Sequence, residues 1–225
     1  MKVLCIGDSL GLPREGCTYE ETWFSLLKEA YPNCSFINQF EGGRLISNTS
    51  ESFRNYYKYY KADVVILQTG IVDCAPRYIN DKKGINILLR RMFNLVGLSR
   101  FYWRIVKSHV RKADCVYTDI IIFKKVYRLL LDTIFESGTK AIVCVMIGHG
   151  AQSIIQASPF FNYNVDRYNN VIQSIANDYK NVYTVAPLNN VSEGLFVDGY
   201  HCNGNGMRMV FEELKRLIES ETLFE

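Results

Sequence analysis

Met1-Lys2-Val3-Leu4-Cys5-Ile6-Gly7-Asp8-Ser9-Leu10-Gly11 opens the chain. Lys2 to Ile6 is a short apolar run that breaks at once into Gly7-Asp8-Ser9. Runs of this length, bounded by turn residues, mark strands. Four more follow at Ser35–Asn38, Asp63–Gln68, Lys140–Ile147 and Asn181–Val185. The last three are rich in Val and Ile, as strands buried on both faces of a parallel sheet are. Helical patterns fall between them at Tyr19–Ala30, Ser50–Lys61, Asn164–Tyr179 and Gly206–Ser220. This alternation predicts a doubly wound α/β sandwich. Ligands of such sheets bind beyond the carboxyl ends of the strands, and Ser9 stands at one of those ends.

The chain has 225 residues, and its 48% hydrophobic and 22% charged residues suit one α/β domain with a good core. The seven cysteines are an odd number without CxxC pairs, and Cys5, Cys115 and Cys144 lie in apolar runs. That pattern predicts reduced thiols, not a disulfide framework. No leader precedes the first strand, and no apolar run approaches the roughly 18 residues of a membrane span. A cytoplasmic location is therefore expected. His109, His149 and His201 have no ligand-like spacing, so neither a metal nor a cofactor is expected.

One segment departs from the alternation. Arg77 to about Leu131 places some 55 residues of helical pattern where one helix would connect strands three and four. Between positions 77 and 112, ten Lys or Arg face one acid, Asp81. The local charge is +9 in a chain of net +3, which leaves −6 on the rest. Phe93, Phe101, Tyr102 and Trp103 are interleaved with this charge. The insert reads as a solvated face, as a lid over an anionic or glycan substrate, or as a contact with anionic lipid. The acidic remainder argues against a nucleic-acid partner.

The chemistry begins with Ser9. A serine attacks only when a base takes its proton, and a histidine held in one tautomer by a carboxylate is the usual base. Asp198-Gly199-Tyr200-His201 near the other end supplies both groups three residues apart. Gly7-Asp8-Ser9-Leu10 together with Asp198-x-x-His201 resembles the SGNH, or GDSL, hydrolases. The resemblance implies a flavodoxin-like three-layer α/β/α sandwich with a five-stranded, mostly parallel sheet. It also implies Ser9 as nucleophile, with His201 and Asp198 completing the triad.

Two internal blocks complete the comparison. The family has a glycine after strand two whose N–H serves the oxyanion hole beside that of the nucleophile. Gly43, with Gly42 next to it, holds that place in Gln39-Phe40-Glu41-Gly42-Gly43-Arg44. The family's third block is Gly-x-Asn-Asp, and its asparagine donates a further oxyanion hydrogen bond. Here the block is Gly70-Ile71-Val72-Asp73, and Val72 cannot donate. Cys74, Arg77 or His149 are the candidate substitutes or substrate contacts. Gly70 to Arg77 is also similar to a subgroup of the family found among bacterial surface-polysaccharide genes.

Plainer roles stand beside these. Ser9 or Asp198 could simply cap a helix. Asp8 and Asp73 are expected to shape and support the nucleophile loop. The expected activity is a serine esterase acting on small O-acyl groups, acetyl on a carbohydrate first. The alternatives are an O-acyltransferase with the same triad and a catalytically weak glycan- or lipid-binding module.

Overall fold

A computed structural model describes residues 1–77, 85–101, 104, 115–189 and 193–224. Five strands form one sheet: β1 (Lys2–Gly7), β2 (Ser35–Phe40), β3 (Val64–Gln68), β4 (Ala141–Val145) and β5 (Val182–Val185). Their order is β2-β1-β3-β4-β5, and every pairing is parallel. β1 is the hinge of this order, with Val3 opposite Phe36 on one side and Val64 on the other. Strand order reverses at β1, and a sheet of this type opens its ligand crevice there.

The strands lack polar–apolar alternation because both faces are covered. Val3, Cys5, Ile66, Val143 and Val185 enter one core cluster. Leu4, Ile6, Val65, Leu67 and Ile142 enter the other. The period of two along each strand thus feeds two cores.

The helices, in chain order, are α1 (Trp23–Ala30), α2 (Ile46–Asn55), the single turn α3 (Ile71–Cys74), α4 (Ile85–Leu95), α5 (Ile120–Glu136), α6 (Gln152–Ala157), α7 (Phe161–Ala176) and α8 (Gly204–Ser220). Trp23 and Leu27 of α1 join Met207, Val210 and Leu214 of α8 on one face. Phe53 of α2, Phe123 and Leu130 of α5, and Val165 and Ile172 of α7 cover the other. The result is a three-layer α/β/α sandwich.

Helix starts depart from the expected ones where a cap decides. Thr22 caps α1, its Oγ1 accepting the Ser25 N–H at 3.3 Å, so the helix begins after Tyr19. α2 begins at Ile46 and not Ser50, because the Asp73 carboxylate accepts the Ile46 N–H at 3.0 Å. That cap comes from another segment, beside a local one in which Asn48 Oδ1 accepts the Leu45 N–H at 3.3 Å. Asn203 caps α8 by accepting from Asn205 and Gly206.

The basic insert expected over about 77–131 runs into α5, whose Phe123, Tyr127, Leu130, Leu131 and Ile134 are buried in the sandwich. The excursion has a narrower stem. Arg77 N–H donates to the Cys115 carbonyl at 2.8 Å, so the chain leaves and returns at one point. Asp81, Lys82, Lys83, Tyr102, Trp103, Lys107, His109, Arg111 and Lys112 lie outside the described residues. Among the described residues, no helix is long and apolar enough to cross a membrane.

Candidate active site

The site is built at the carboxyl edge of β1 and β3. Gly7 ends β1 with no room for a side chain: a Cβ there would lie 1.9 Å from the Gln68 carbonyl oxygen. This close approach lets Asp8 N–H reach the same carbonyl at 3.0 Å. Asp8 is fully buried. Its carboxylate accepts from Leu10 N–H at 3.0 Å and Gly70 N–H at 3.2 Å, which shapes the turn that carries Ser9. Burial pushes the Asp8 carboxyl up to about 7; the Leu10 N–H pulls it down, and the nearby Asp73 charge raises it further.

Asp73 is the second buried carboxylate. One oxygen caps α2 at Ile46, and the other accepts from the Thr118 hydroxyl just before α5. The two aspartates therefore join the loops after β1, β2 and β3 through main-chain donors.

From the other end of the chain comes His201, only 7% exposed. Its Nε2 lies 3.0 Å from Ser9 Oγ, and its Nδ1 lies 2.7 Å from Asp198 Oδ2. The His201 main-chain N–H also donates to Asp198 Oδ1 at 3.0 Å. Asp198 so braces both the ring and the backbone of the same histidine. With Nδ1 donating to the carboxylate, Nε2 presents its lone pair to the serine hydroxyl. The spacing of three residues makes this possible within one tight loop.

Burial holds His201 below its ordinary value, opposed by the Asp198 hydrogen bond and assisted by the positive charge of Arg14. Burial would raise Asp198, but the His201 hydrogen bonds leave its carboxyl below the usual range. At neutral pH the pair is a neutral imidazole on a carboxylate, the state a general base needs.

Two neighbours carried no signal in the sequence. Arg14 follows Ser9 by five residues, and its guanidinium donates to the Ser9 carbonyl. Tyr200 lies within the Asp198–His201 loop, and its ring rests on the His201 ring with centroids 4.1 Å apart. Phe161 flanks Tyr200 at 5.7 Å. Arg14 belongs to no motif, and Tyr200 occupies an unspecified position of one.

The remaining expected residues are distributed as follows. Gly43 adopts φ of +72°, a conformation for which glycine is suited, beside Gly42 in the loop after β2. Val72 is buried in the apolar cluster beneath α3. Cys74 is fully buried, with its Sγ 3.8 Å from the Ile71 carbonyl. His149 pairs with Asp166 at 2.8 Å. Arg77 lies over the Tyr117 ring at 4.8 Å, its Nε buried without a hydrogen-bond partner. Among the described residues, neither Arg77 nor Arg14 has a carboxylate within 4.0 Å. Nor do the described residues contain a cluster of His, Cys, Asp and Glu able to hold a metal ion.

No family model matches the chain, and no curated protein matches its sequence. Solved structures do share its fold. A lipase/acylhydrolase from Enterococcus faecalis superposes with a TM-score of 0.67 at 12% identity, over 98% of this chain and 96% of that one. An acetyl xylan esterase gives 0.63 at 17% identity, over 97% and 100%. A member of the lipolytic G-D-S-L family from Veillonella parvula gives 0.60 at 15% identity, over 97% and 98%. The α/β/α sandwich is thus the fold of G-D-S-L lipolytic proteins and acetyl xylan esterases, the fold that the Gly-Asp-Ser-Leu resemblance implies.

Proposed function

We propose that the chain is a serine esterase that hydrolyses small O-acyl esters, with an acetyl group on a carbohydrate as the leading substrate. The observation that carries this reading is the Ser9–His201–Asp198 relay, with its 3.0 Å and 2.7 Å contacts. That an acetyl xylan esterase and a lipase/acylhydrolase share this fold supports the choice of ester and acyl group.

Ser9 Oγ attacks the ester carbonyl carbon while its proton passes to His201 Nε2. The tetrahedral oxyanion collapses, and the alcohol leaves with the proton from His201. Water, deprotonated by the same histidine, then attacks the acyl-enzyme and releases the acid. The N–H groups of Ser9 and Gly43 face the developing oxyanion. Arg77 takes the part of the donor missing at Val72. Three observations favour it over Cys74 and His149: its position just beyond α3, the absence of an acidic partner among the described residues, and its unused Nε. A guanidinium is also a stronger donor to an oxyanion than an amide.

The test is turnover of p-nitrophenyl acetate by the parent and by Ser9→Ala. The variant is expected to fold and to lose on the order of 10⁶-fold in kcat. Equal turnover sinks the assignment. Labelling by a fluorophosphonate that requires Ser9 separates an esterase from an inert binding module. Release of free acetate, with no acetylated acceptor when a glycan is supplied, separates hydrolysis from acyl transfer.

A further inference from the structure

The described residues between Ile87 and Arg104 have an unusual surface. On α4, Leu88, Met92 and Leu95 recur at helical spacing, and Leu88 and Leu95 are 57% and 86% exposed. Leu89 and Val96 widen the stripe, and Val96 continues the helix with its N–H on the Met92 carbonyl at 3.1 Å. Leu98 and Phe101 beyond it are exposed as well. Arg91 lies at the border of the stripe, and Arg91, Arg100 and Arg104 are all exposed. A water-facing apolar stripe on a surface helix calls for an occupant.

Charge selects among the occupants. The segment from 77 to 112 carries +9, while the rest of the chain carries −6. A second copy would set Arg91, Arg100 and Arg104 against the same three cations of its partner, which disfavours pairing of these faces. A nucleic acid would match the charge but leave the leucines in water. A bilayer with anionic headgroups matches both, since leucines enter the acyl boundary while arginines meet phosphates.

We infer that this insert docks the protein on an anionic lipid surface, lying on the bilayer without crossing it. The stem at Arg77 and Cys115 then gives docking a consequence. Arg77 follows α3, which is tied to the Ser9 turn through Asp8 and Gly70. Only seven residues separate Arg77 from Ile85, at most about 30 Å of chain, so docking tethers the catalytic edge to the membrane, where an ester carried on a membrane-borne glycan or lipid would be in reach. The docking itself does not depend on the esterase reading.

Co-sedimentation of the full chain with phosphatidylcholine vesicles, with and without phosphatidylglycerol, tests this. Binding is expected only to the anionic vesicles, to weaken with added salt, and to be unaffected by Ser9→Ala. Replacing Arg91, Arg100 and Arg104 together by Gln should lower the partition coefficient on the order of 10²-fold. Leu88→Ser with Leu95→Ser should lower it as well, while p-nitrophenyl acetate turnover stays at the parent level. Absence of binding, or equal binding to neutral vesicles, overturns the inference. So does self-association, or retention of a DNA duplex, that the same substitutions abolish in a protein without lipid binding.

Discussion

The protonation of His201 governs what Ser9 can do. Because burial lowers the histidine below its ordinary value of about 6.5, the imidazole stays neutral to lower pH than a free one. The acid limb of the His201 titration in kcat/KM is therefore expected below about 6.5, the ordinary histidine value, with activity lost as pH falls through the histidine's lowered value. A midpoint above it would mean that Asp198 outweighs burial, or that protonation of Asp8, whose carboxyl lies at about 7, loosens the Ser9 turn. Asp198→Asn should reverse the ring's hydrogen-bond preference and lower kcat by about 10⁴. Gly7→Ala is expected to destabilise the protein by about 1–3 kcal/mol, since its Cβ meets the Gln68 backbone at 1.9 Å as well as the Phe40 ring at 2.9 Å. Thermal unfolding reads that cost. The hydrogen-bonded cluster of Ser9, His201 and Asp198 was legible at this scale because Gly-Asp-Ser and Asp-x-x-His place unusual chemistry at a strand end and before a helix. Arg14 and Tyr200 were not, because their contacts with Ser9 and His201 come from folding and from no local pattern.

Elements matter through the loops that end them. α2 starts where Asp73 caps it, and the same carboxylate holds Thr118 at the entrance to α5. Asp73→Ala removes both and strands a buried N–H. A loss of about 2–4 kcal/mol is expected in denaturant unfolding, with turnover falling too as the Ser9 platform loosens. The loop after β3 offers a second measurement. If Arg77 replaces the missing asparagine, Arg77→Ala should lower kcat by about 10²–10³ with KM little changed, and Arg77→Lys should recover part of it. Val72→Asn should give no gain in kcat and should cost about 1–3 kcal/mol of stability, because it places an amide in an apolar cluster. A sharp gain would instead show an oxyanion hole lacking a donor. The five strands and the helices α1, α2, α7 and α8 were readable from apolar runs and periodicity, whereas α5 was read as part of the insert and α6 was not read at all. The early start of α2 was not, since its cap lies 27 residues away in sequence.

The whole molecule is a sandwich with an excursion on a narrow stem. Since Arg77 and Cys115 already meet by a main-chain hydrogen bond, a short Gly-Ser linker in place of residues 78–114 should span the gap. The shortened protein is expected to keep its thermal midpoint within a few degrees and its turnover of p-nitrophenyl acetate, while losing all binding to anionic vesicles. Collapse of the fold would show that the excursion supports the sandwich. The extra length and charge of this segment were plain in the sequence. Its inner boundary was not, because the apolar side of α5 resembles the helical pattern before it until packing separates them. Asp8 and Asp73 carry one more consequence at this scale. A carboxylate that accepts from main-chain N–H groups is indifferent to the side chains those residues bear. The Leu10 and Ile46 amides meet these acceptors whatever side chains those residues bear, so it is core packing and not the hydrogen bonds that fixes those two side chains. A scaffold anchored this way can repack its core around Ser9 before Ser9 itself moves.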